Sequence, residues 1–184
     1  MSDLKIVRYP HPALRAKVTP LTTIDKQVRL HAEKMLELMY EAHGLGLAAN
    51  QVALPYQLIV VNPTGDPEQK EFERVLINPE IIEKKGSIEG EEGCLSFPEL
   101  YQKVRRARTC KVRYFNLEGL EMEAEAHELA SRLFQHEVDH LHGVLFIDKM
   151  GFLARRSSRA ALEELERQYR KGQERGENPP EMAL

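Results

Sequence analysis

The sequence predicts an α+β fold in which mainly antiparallel sheets surround a central helix, with further helices towards both ends of the chain. Apolar residues recur at helical spacing from Ile24 to about Ala42, and Gly44 follows as a stop signal. A second helical pattern, which predicts the central helix, runs from Glu128 to about His142. Because the strand-like segments are gathered between these helices and do not alternate with them, antiparallel pairing is favoured.

The strand-like segments are separated by turn signals. Pro79 separates two of them, since proline cannot donate to a β-ladder. The tetrapeptide 116–119 ends in glycine and predicts the turn of a hairpin. The predicted strands cover residues 57–61, 75–78, 80–88, 104–116 and 120–127.

The length of 184 residues predicts a single domain, which we place at residues 1–170. A third amphipathic pattern predicts a C-terminal helix at about 152–170. The segment 171–184 is polar and contains two adjacent prolines, so it is expected to be a mobile tail.

The bulk composition excludes several classes of protein. A formal net charge of -3 gives no reason to expect nucleic acid as the primary ligand. Two cysteines are too few for a disulfide framework. No apolar stretch approaches the roughly 20 residues that cross a membrane, and the first residues do not resemble a signal peptide. We therefore expect a cytoplasmic protein without a membrane partner.

The sequence QHEVDH, residues 135–140, carries the strongest chemical signal. On a helix, His136 and His140 project from one face, where both can bind one metal ion, and Glu137 lies beside them as a candidate general base. The alternative is a surface helix with chance histidines. Apolar neighbours such as Leu133 and Leu141 favour a buried helix, in which unpaired histidines would be costly.

A third metal ligand is offered by Cys94, in the segment EGEEGCLSFP at residues 89–98. The alternative for a lone cysteine is a buried packing role. A predicted loop rich in glycine and acidic residues is a poor place for packing, which favours the ligand. Cys110 lies in a predicted strand and is interpreted as structural.

A third motif, GLGLAANQV at residues 44–52, predicts a turn of small residues. It lacks the Lys-Ser/Thr ending of a phosphate-binding loop. Its small residues would let a peptide backbone approach, and Gln51 offers an amide donor for an oxyanion.

In the order GLGLAANQ, EGCLS, QHEVDH, the three motifs closely resemble the signature motifs of the peptide deformylases. The resemblance extends to IVRYPHPALR and LHGVLFIDKM and covers roughly residues 4–150. It implies a metal-dependent hydrolase that removes the N-formyl group from the N-terminal formyl-methionine of nascent polypeptides and releases formate.

By this resemblance, Cys94, His136 and His140 bind the metal ion, with water in the fourth position. The ion in the family is typically Fe(II), which zinc, nickel or cobalt can replace. Ligand type alone would suggest zinc, so the expectation of iron depends on the family.

The resemblance also implies roles in catalysis and binding. Glu137 would be the general base, while the Gln51 side chain and the backbone N–H of Leu95 would hold the oxygen of the tetrahedral intermediate. The methionine pocket and the approach of the peptide backbone would involve Leu45, Gly46, Gly90, Leu129, Leu133 and the ring of His136.

Two positions depart from the family pattern. Tyr101 stands where many relatives have an arginine, which leaves peptide affinity and length preference open. Arg132 occupies a position near the pocket that is often apolar, where it would close the pocket mouth or contact the substrate backbone. Neither change touches the expected chemistry.

The expected partners are nascent formyl-methionyl peptides, and we expect a monomer. The basic start of the C-terminal helix, residues 155–159, would contact ribosomal RNA as in similar deformylases; the alternative is that this helix simply packs on the domain.

Two other functions remain open from the residues alone. A zinc peptidase would take its third ligand from a downstream histidine or glutamate. A non-catalytic protein with structural zinc would need four protein ligands, of which Cys110 would have to be the fourth.

Overall fold

The computed structural model describes residues 4–177, and it confirms the predicted α+β fold with a central helix. Within these residues there are three α-helices and seven β-strands. The helices are α1 (Lys26–Glu41), α2 (Glu128–Leu141) and α3 (Phe152–Glu174). The strands are β1 (Gly46–Ala48), β2 (Leu58–Val61), β3 (Arg74–Lys85), β4 (Ile88–Cys94), β5 (Phe97–Arg106), β6 (Thr109–Phe115) and β7 (Glu121–His127).

The strands form two antiparallel sheets. The larger sheet has the order β1-β2-β3-β6-β7, and the smaller one is the β4–β5 hairpin. The β2–β3 register pairs Leu58 with Ile77. In the hairpin, Cys94 pairs with Phe97 across a two-residue turn.

Helix α1 covers one part of the larger sheet. Its N-cap is Asp25, whose carboxylate accepts from the Val28 N–H at 2.9 Å. Such a cap satisfies one of the free N–H groups at the helix start and is worth about 1 kcal/mol. Its buried face, which includes Met35 and Met39, packs against Leu58 and other core residues.

Helix α2 lies between the two sheets and contacts strands of both. Its apolar side chains Phe134, Val138 and Leu141 pack with Ile59 and Val112 of the larger sheet. Full burial of side chains of this size contributes about 1.5–3 kcal/mol each, so the helix is held firmly in place.

Helix α3 packs on the β4–β5 side of the molecule through a third core cluster that contains Leu165. The Tyr9 hydroxyl donates to Glu166 at 3.1 Å and joins this helix to the N-terminal segment. The helix ends at Glu174, four residues beyond the expected end, so residues 171–174 are helical and not part of the tail. Residues 178–184 of the expected tail lie outside the described residues.

Four strand or loop predictions need correction. Residues 75–78 and 80–88 were expected as two strands, but β3 is continuous, because Pro79 lies at a register shift where no ladder donor is needed. The predicted loop 89–98 is the β4–β5 hairpin. Residues 104–106 belong to β5, and the predicted turn 44–52 contains β1 and a 3₁₀ helix. Tertiary pairing outweighed local composition in these segments.

Among the described residues, no helix combines the length and the apolar character needed to span a membrane.

Candidate metal centre

The structure brings Cys94, His136 and His140 together. The Sγ atom of Cys94 lies 3.3 Å from Nε2 of His140, which lies 3.1 Å from Nε2 of His136. One ligand atom from each residue lies within 4.8 Å of the others. Both histidines are buried, as their place on α2 predicts.

The two elements that carry these residues are joined by a buried charge network. His136 Nδ1 lies 3.1 Å from Glu92 Oε2. The Arg106 guanidinium donates to both oxygens of Glu92, at 3.0 and 3.1 Å, and also pairs with Asp139. Glu92 lies two residues before Cys94, and Asp139 lies one residue before His140. Arg106 therefore ties the strand that carries Cys94 to the helix that carries His136 and His140.

The groups around His136 favour a positive charge on its imidazole ring. Burial disfavours a charged imidazole, but hydrogen bonds with Cys94 and Glu92 outweigh it and raise the pKa of His136 to about 10. Burial and the charge on His136 hold the pKa of His140 well below its usual value. Burial alone would raise the pKa of Glu92, but hydrogen bonds from His136 and Arg106 lower it to about 2. A metal ion bound by the cluster would take the place of the extra proton that these surroundings favour on His136.

A divalent metal ion fits the arrangement. Thiolate and imidazole are suitable ligands for zinc and iron, and three protein ligands leave one position for water, as in catalytic sites. Cys110, the fourth ligand that a structural zinc would need, lies elsewhere in the core, with its Sγ 3.7 Å from the Ser131 carbonyl oxygen. Among the described residues, the cluster contains Cys94 and no downstream third histidine or glutamate, which also disfavours the zinc peptidase.

Glu137 is buried beside the cluster. Its Oε2 atom has no hydrogen-bond partner within residues 4–177. Burial raises the pKa of Glu137 to about 7. A Cβ atom on Gly46 would lie 2.6 Å from Glu137 Oε1, so only glycine leaves room for this carboxylate. The structure thus gives Gly46 a role in accommodating Glu137, which the sequence did not indicate.

The side-chain amide of Gln51 is held by hydrogen bonds at both its oxygen and its nitrogen. Its Oε1 accepts from the Ala48 N–H at 2.8 Å, which points Nε2 towards the Cys94 sulfur at 3.4 Å and Ser96 Oγ at 3.1 Å. Leu95 follows Cys94 in the hairpin turn. The Gln51 amide and residue Leu95, the two predicted sources of oxyanion donors, are therefore both next to Cys94.

A cleft of about 560 Å³ opens over these residues. The residues that line it include most of the predicted site residues, namely Leu45, Gly46, Gln51, Cys94, Leu95, Leu129, Arg132, Leu133, His136 and Glu137. Gly90 and His140 are not among its lining residues. A side chain on Gly90 would collide with the guanidinium of Arg132, which donates to the Glu91 carbonyl oxygen. Arg132 thus bridges α2 and β4 at the cleft wall.

Comparisons with known proteins agree with this geometry. Residues 3–156 match the family model described as polypeptide deformylase. The chain belongs to this family. It is 42% identical to a peptide deformylase of Rhodopirellula baltica over 98% of this chain and 90% of the relative. It is 44% identical to one of Nitrosococcus oceani, over 91% and 98% of the two chains.

A solved structure of a plant peptide deformylase has the same fold. Its TM-score is 0.89 at 40% identity, with 98% of this chain and 97% of that chain covered. Membership of the deformylase family identifies a metal-dependent hydrolase of protein biosynthesis that acts on nascent formyl-methionyl peptides.

Several supporting residues were missed from the sequence, although Asn50, Glu92 and Ser96 lie within the deformylase motifs. Glu92 and Arg106 support His136, Ser96 accepts from Gln51, and Asn50 donates to the His140 carbonyl oxygen at 2.5 Å. A buried histidine ligand needs an acceptor on its second nitrogen, and that requirement could have pointed to an acid near Cys94.

Proposed function

We propose that the cluster of Cys94, His136 and His140, together with Glu137, hydrolyses the N-formyl group of formyl-methionyl peptides. The products would be formate and a free methionine amine. The observation that carries this proposal is a buried, unpaired carboxylate oxygen beside three convergent metal-ligand side chains at the base of a cleft.

The three ligands would hold one divalent ion, Fe(II) in the cell, with zinc, nickel or cobalt as replacements. When bound, such an ion supplies Lewis acidity and lowers the pKa of water in its open position. Glu92 would fix the ring of His136 through the hydrogen bond to Nδ1, which also raises the basicity of the other nitrogen.

Glu137 would serve as general base and then as general acid. Its free Oε2 can accept a proton from the attacking water and later deliver it to the leaving amine. Gly46 and the buried surroundings leave the Glu137 carboxylate little room to move. The carboxylate would therefore stay in one position during both proton transfers. General acid–base catalysis of this kind contributes roughly 10²- to 10⁴-fold.

The oxygen of the tetrahedral intermediate would be held by the Gln51 side chain and the Leu95 N–H. The Ala48 N–H orients the Gln51 amide before the substrate binds, so little reorganisation is needed during reaction. Loss of one such donor costs about 3 kcal/mol of barrier.

The substrate would bind in an extended conformation along β1, which is the terminal strand of the larger sheet. The methionine side chain would enter the apolar part of the cleft formed by Leu45, Leu129 and Leu133. The formyl hydrogen would distinguish the substrate from an acetylated peptide, because an additional methyl group needs space next to the metal ligands.

The enzyme would be cytoplasmic and monomeric. The first turns of its helix α3 would contact the ribosome. Arg155, Arg156 and Arg159 lie there together with Phe152, which is 77% exposed. Clustered basic side chains on one helix face suit the phosphates of RNA. Replacement of the three arginines by glutamine should abolish co-sedimentation with ribosomes at low salt, and unchanged co-sedimentation would contradict this part of the proposal.

The direct test is formate release from formyl-Met-Ala-Ser by protein purified without oxygen or reloaded with nickel. We expect release from this peptide and none from the acetyl-methionyl equivalent. Equal release from both peptides, or none from either by protein that contains one metal ion per chain, would overturn the proposal.

A further inference from the structure

The two histidines of the metal centre differ in how the Nδ1 atom of each ring is held. His136 Nδ1 lies 3.1 Å from Glu92 Oε2. His140 Nδ1 is buried and has no hydrogen-bond partner among the residues that the structure describes. The other nitrogen of this ring, Nε2, lies 3.3 Å from the Cys94 sulfur, so Nδ1 carries the proton when the neutral ring binds a metal ion through Nε2. A buried N–H group needs an acceptor, because its desolvation is otherwise uncompensated.

Asn50 presents a matching acceptor beside His140. Asn50 is fully buried, and its Nδ2 donates to the His140 carbonyl oxygen at 2.5 Å. Its Oδ1 is also buried and has no hydrogen-bond partner within residues 4–177. Because Oδ1 and Nδ2 are bonded to the same carbon, the free acceptor of Asn50 is held close to the residue that has the free donor. Gln51, the next residue, reaches the Cys94 sulfur, so this part of the chain runs along the metal centre.

Two further buried side-chain atoms lack a hydrogen bond in the part of the chain that the structure describes, and each has another explanation. Arg132 Nε lies 3.7 Å from Glu92 Oε1, within an ion pair. Glu137 Oε2 belongs to the proposed general base. The remaining two atoms, Asn50 Oδ1 and His140 Nδ1, are one acceptor and one donor. Each of them would satisfy the other.

Asn50 also holds the end of α2. The helix ends at Leu141, and the carbonyl groups of a last helical turn have no partner within the helix. The His140 carbonyl oxygen accepts from the Gly143 N–H at 2.9 Å and from Asn50 Nδ2. Asn50 lies in the 3₁₀ helix Ala49–Val52, so its side chain ties this short helix to the turn of α2 that carries a metal ligand. The nitrogen of the amide is thus used for the backbone of His140, and its oxygen remains for the ring.

We propose that Asn50 is a positioning residue of the metal centre, with Nδ2 holding the His140 backbone and Oδ1 accepting from His140 Nδ1–H through one enclosed water. This inference rests on the proposed metal centre of the deformylase. Enclosed waters commonly join buried polar groups that do not reach each other directly. The link keeps His140 Nε2 turned towards Cys94, as the Glu92 carboxylate orients His136. Loss of such a partner of a ligand histidine typically lowers metal affinity roughly 10- to 100-fold.

The test measures the zinc affinity of the full-length chain by competition with a chelator, and the stability of the metal-free chain by urea unfolding. Asn50→Leu removes both polar atoms at nearly the same size, so it should lower zinc affinity roughly 10- to 100-fold. Asn50→Asp keeps an oxygen acceptor for the ring but loses the donor to the His140 carbonyl oxygen. It should unfold at a lower urea concentration and yet bind zinc no more than about threefold more weakly than the native chain.

Asn62→Leu is the matched control. Asn62 is also fully buried, but its Nδ2 donates to Tyr40 Oη and to the Asp66 carbonyl oxygen instead of a metal-ligand residue. Its replacement should lower the stability of the metal-free chain and leave the zinc affinity of the folded chain unchanged. A merely structural role of Asn50 would give this same result.

Nuclear magnetic resonance of the zinc-loaded chain with isotope-labelled histidine gives a second readout, which depends on neither affinity nor activity. The Nδ1 proton of His140 should be visible and should exchange slowly with solvent in the native chain and in Asn50→Asp. In Asn50→Leu this proton should exchange measurably faster, because its acceptor has gone.

The outcomes separate this inference from the proposed function. Native zinc affinity in Asn50→Leu, or an equal loss of affinity in Asn62→Leu, would overturn the role of Asn50 and leave the metal centre intact. So would a loss in Asn50→Asp as large as that in Asn50→Leu, because the amide oxygen would then not be the acceptor. If Asn50→Leu does not fold, a His140 Nδ1 proton that exchanges freely in the native chain decides against the link. A native chain that binds no zinc would overturn the proposed metal centre and this inference with it.

Discussion

Helices α2 and α3 are both amphipathic, but they bury different kinds of side chain. Helix α2 has 14 residues and buries five polar ones, which are Ser131, Gln135, His136, Glu137 and His140. Helix α3 has 23 residues, of which Ser158 and Leu165 are buried. The shorter helix therefore carries most of the polar burial.

Burial of polar groups is unfavourable unless they find partners, and most of those on α2 do. Gln135 and Ser131 bond to the backbone of Ala107, and His136 bonds to Glu92. Among the described residues, Glu137 Oε2 and His140 Nδ1 have no hydrogen-bond partner, and the proposed reaction uses the first of these two atoms. The comparison indicates that α2 keeps buried polar residues because the candidate site needs them. Helix α3 buries only Ser158 and Leu165, so most of its side chains are adapted to contact with solvent.

The largest effect is expected for Glu137→Gln on α2. The amide keeps the shape of the side chain but cannot accept the proton, so formate release should fall roughly 10²- to 10⁴-fold. Bound metal per chain should stay the same. Glu164→Gln on α3 is the matched control and should leave the rate unchanged. A Glu137→Gln rate within threefold of the native rate would remove this residue from the mechanism.

The second largest effect is expected in the buried charge network that links α2 to β4. Arg106→Met leaves Glu92 and Asp139 without their shared partner, and loss of one partner from a buried ion pair costs about 3–5 kcal/mol. Urea unfolding should show this loss. Metal affinity should fall roughly 10- to 100-fold, because the Glu92 carboxylate that orients His136 loses the guanidinium that holds it in position.

The control for this variant is Arg113→Met. Arg113 pairs with Glu80 at 2.6 Å, but both side chains are exposed, so the pair should contribute nothing measurable. Equal stability of the Arg106 and Arg113 variants would mean that the buried network does not hold β4 and α2 together.

The smallest effect is expected on α3. Leu165→Ala should lower the free energy of unfolding by about 2 kcal/mol, because Leu165 is 7% exposed. Leu153→Ala should change it by less than about 0.5 kcal/mol, because Leu153 is 78% exposed. Formate release per folded molecule should be unchanged in both. A loss of activity at constant stability would show that α3 takes part in the site.

The sequence was sufficient for the elements whose periodicity is strong. The helical pattern from Glu128 predicted the central helix, and the spacing of His136 and His140 predicted that both imidazoles lie on one of its faces. The motif set and its resemblance to the deformylases predicted Cys94 as their neighbour. These features are local or depend on residue order, so one sequence contains them.

The sequence was insufficient where the pairing of strands decides which way a side chain points. The segment 89–94 contains Glu89, Glu91 and Glu92, and its composition indicated a loop. Only its pairing as β4 determines that Glu92 points inwards to Arg106 while Glu89 faces solvent near Arg105. The close approach of Arg132 to Gly90 likewise depends on how β4 lies against α2, so the sequence did not indicate it.

The most direct test of the account is X-ray absorption spectroscopy of the nickel-loaded protein at the metal edge. The account predicts one metal ion per chain with one sulfur and two imidazole nitrogen ligands, and loss of the sulfur contribution in Cys94→Ser. A site without sulfur, or one with four protein ligands that include Cys110, would contradict the assignment of Cys94, His136 and His140 as an open catalytic metal centre.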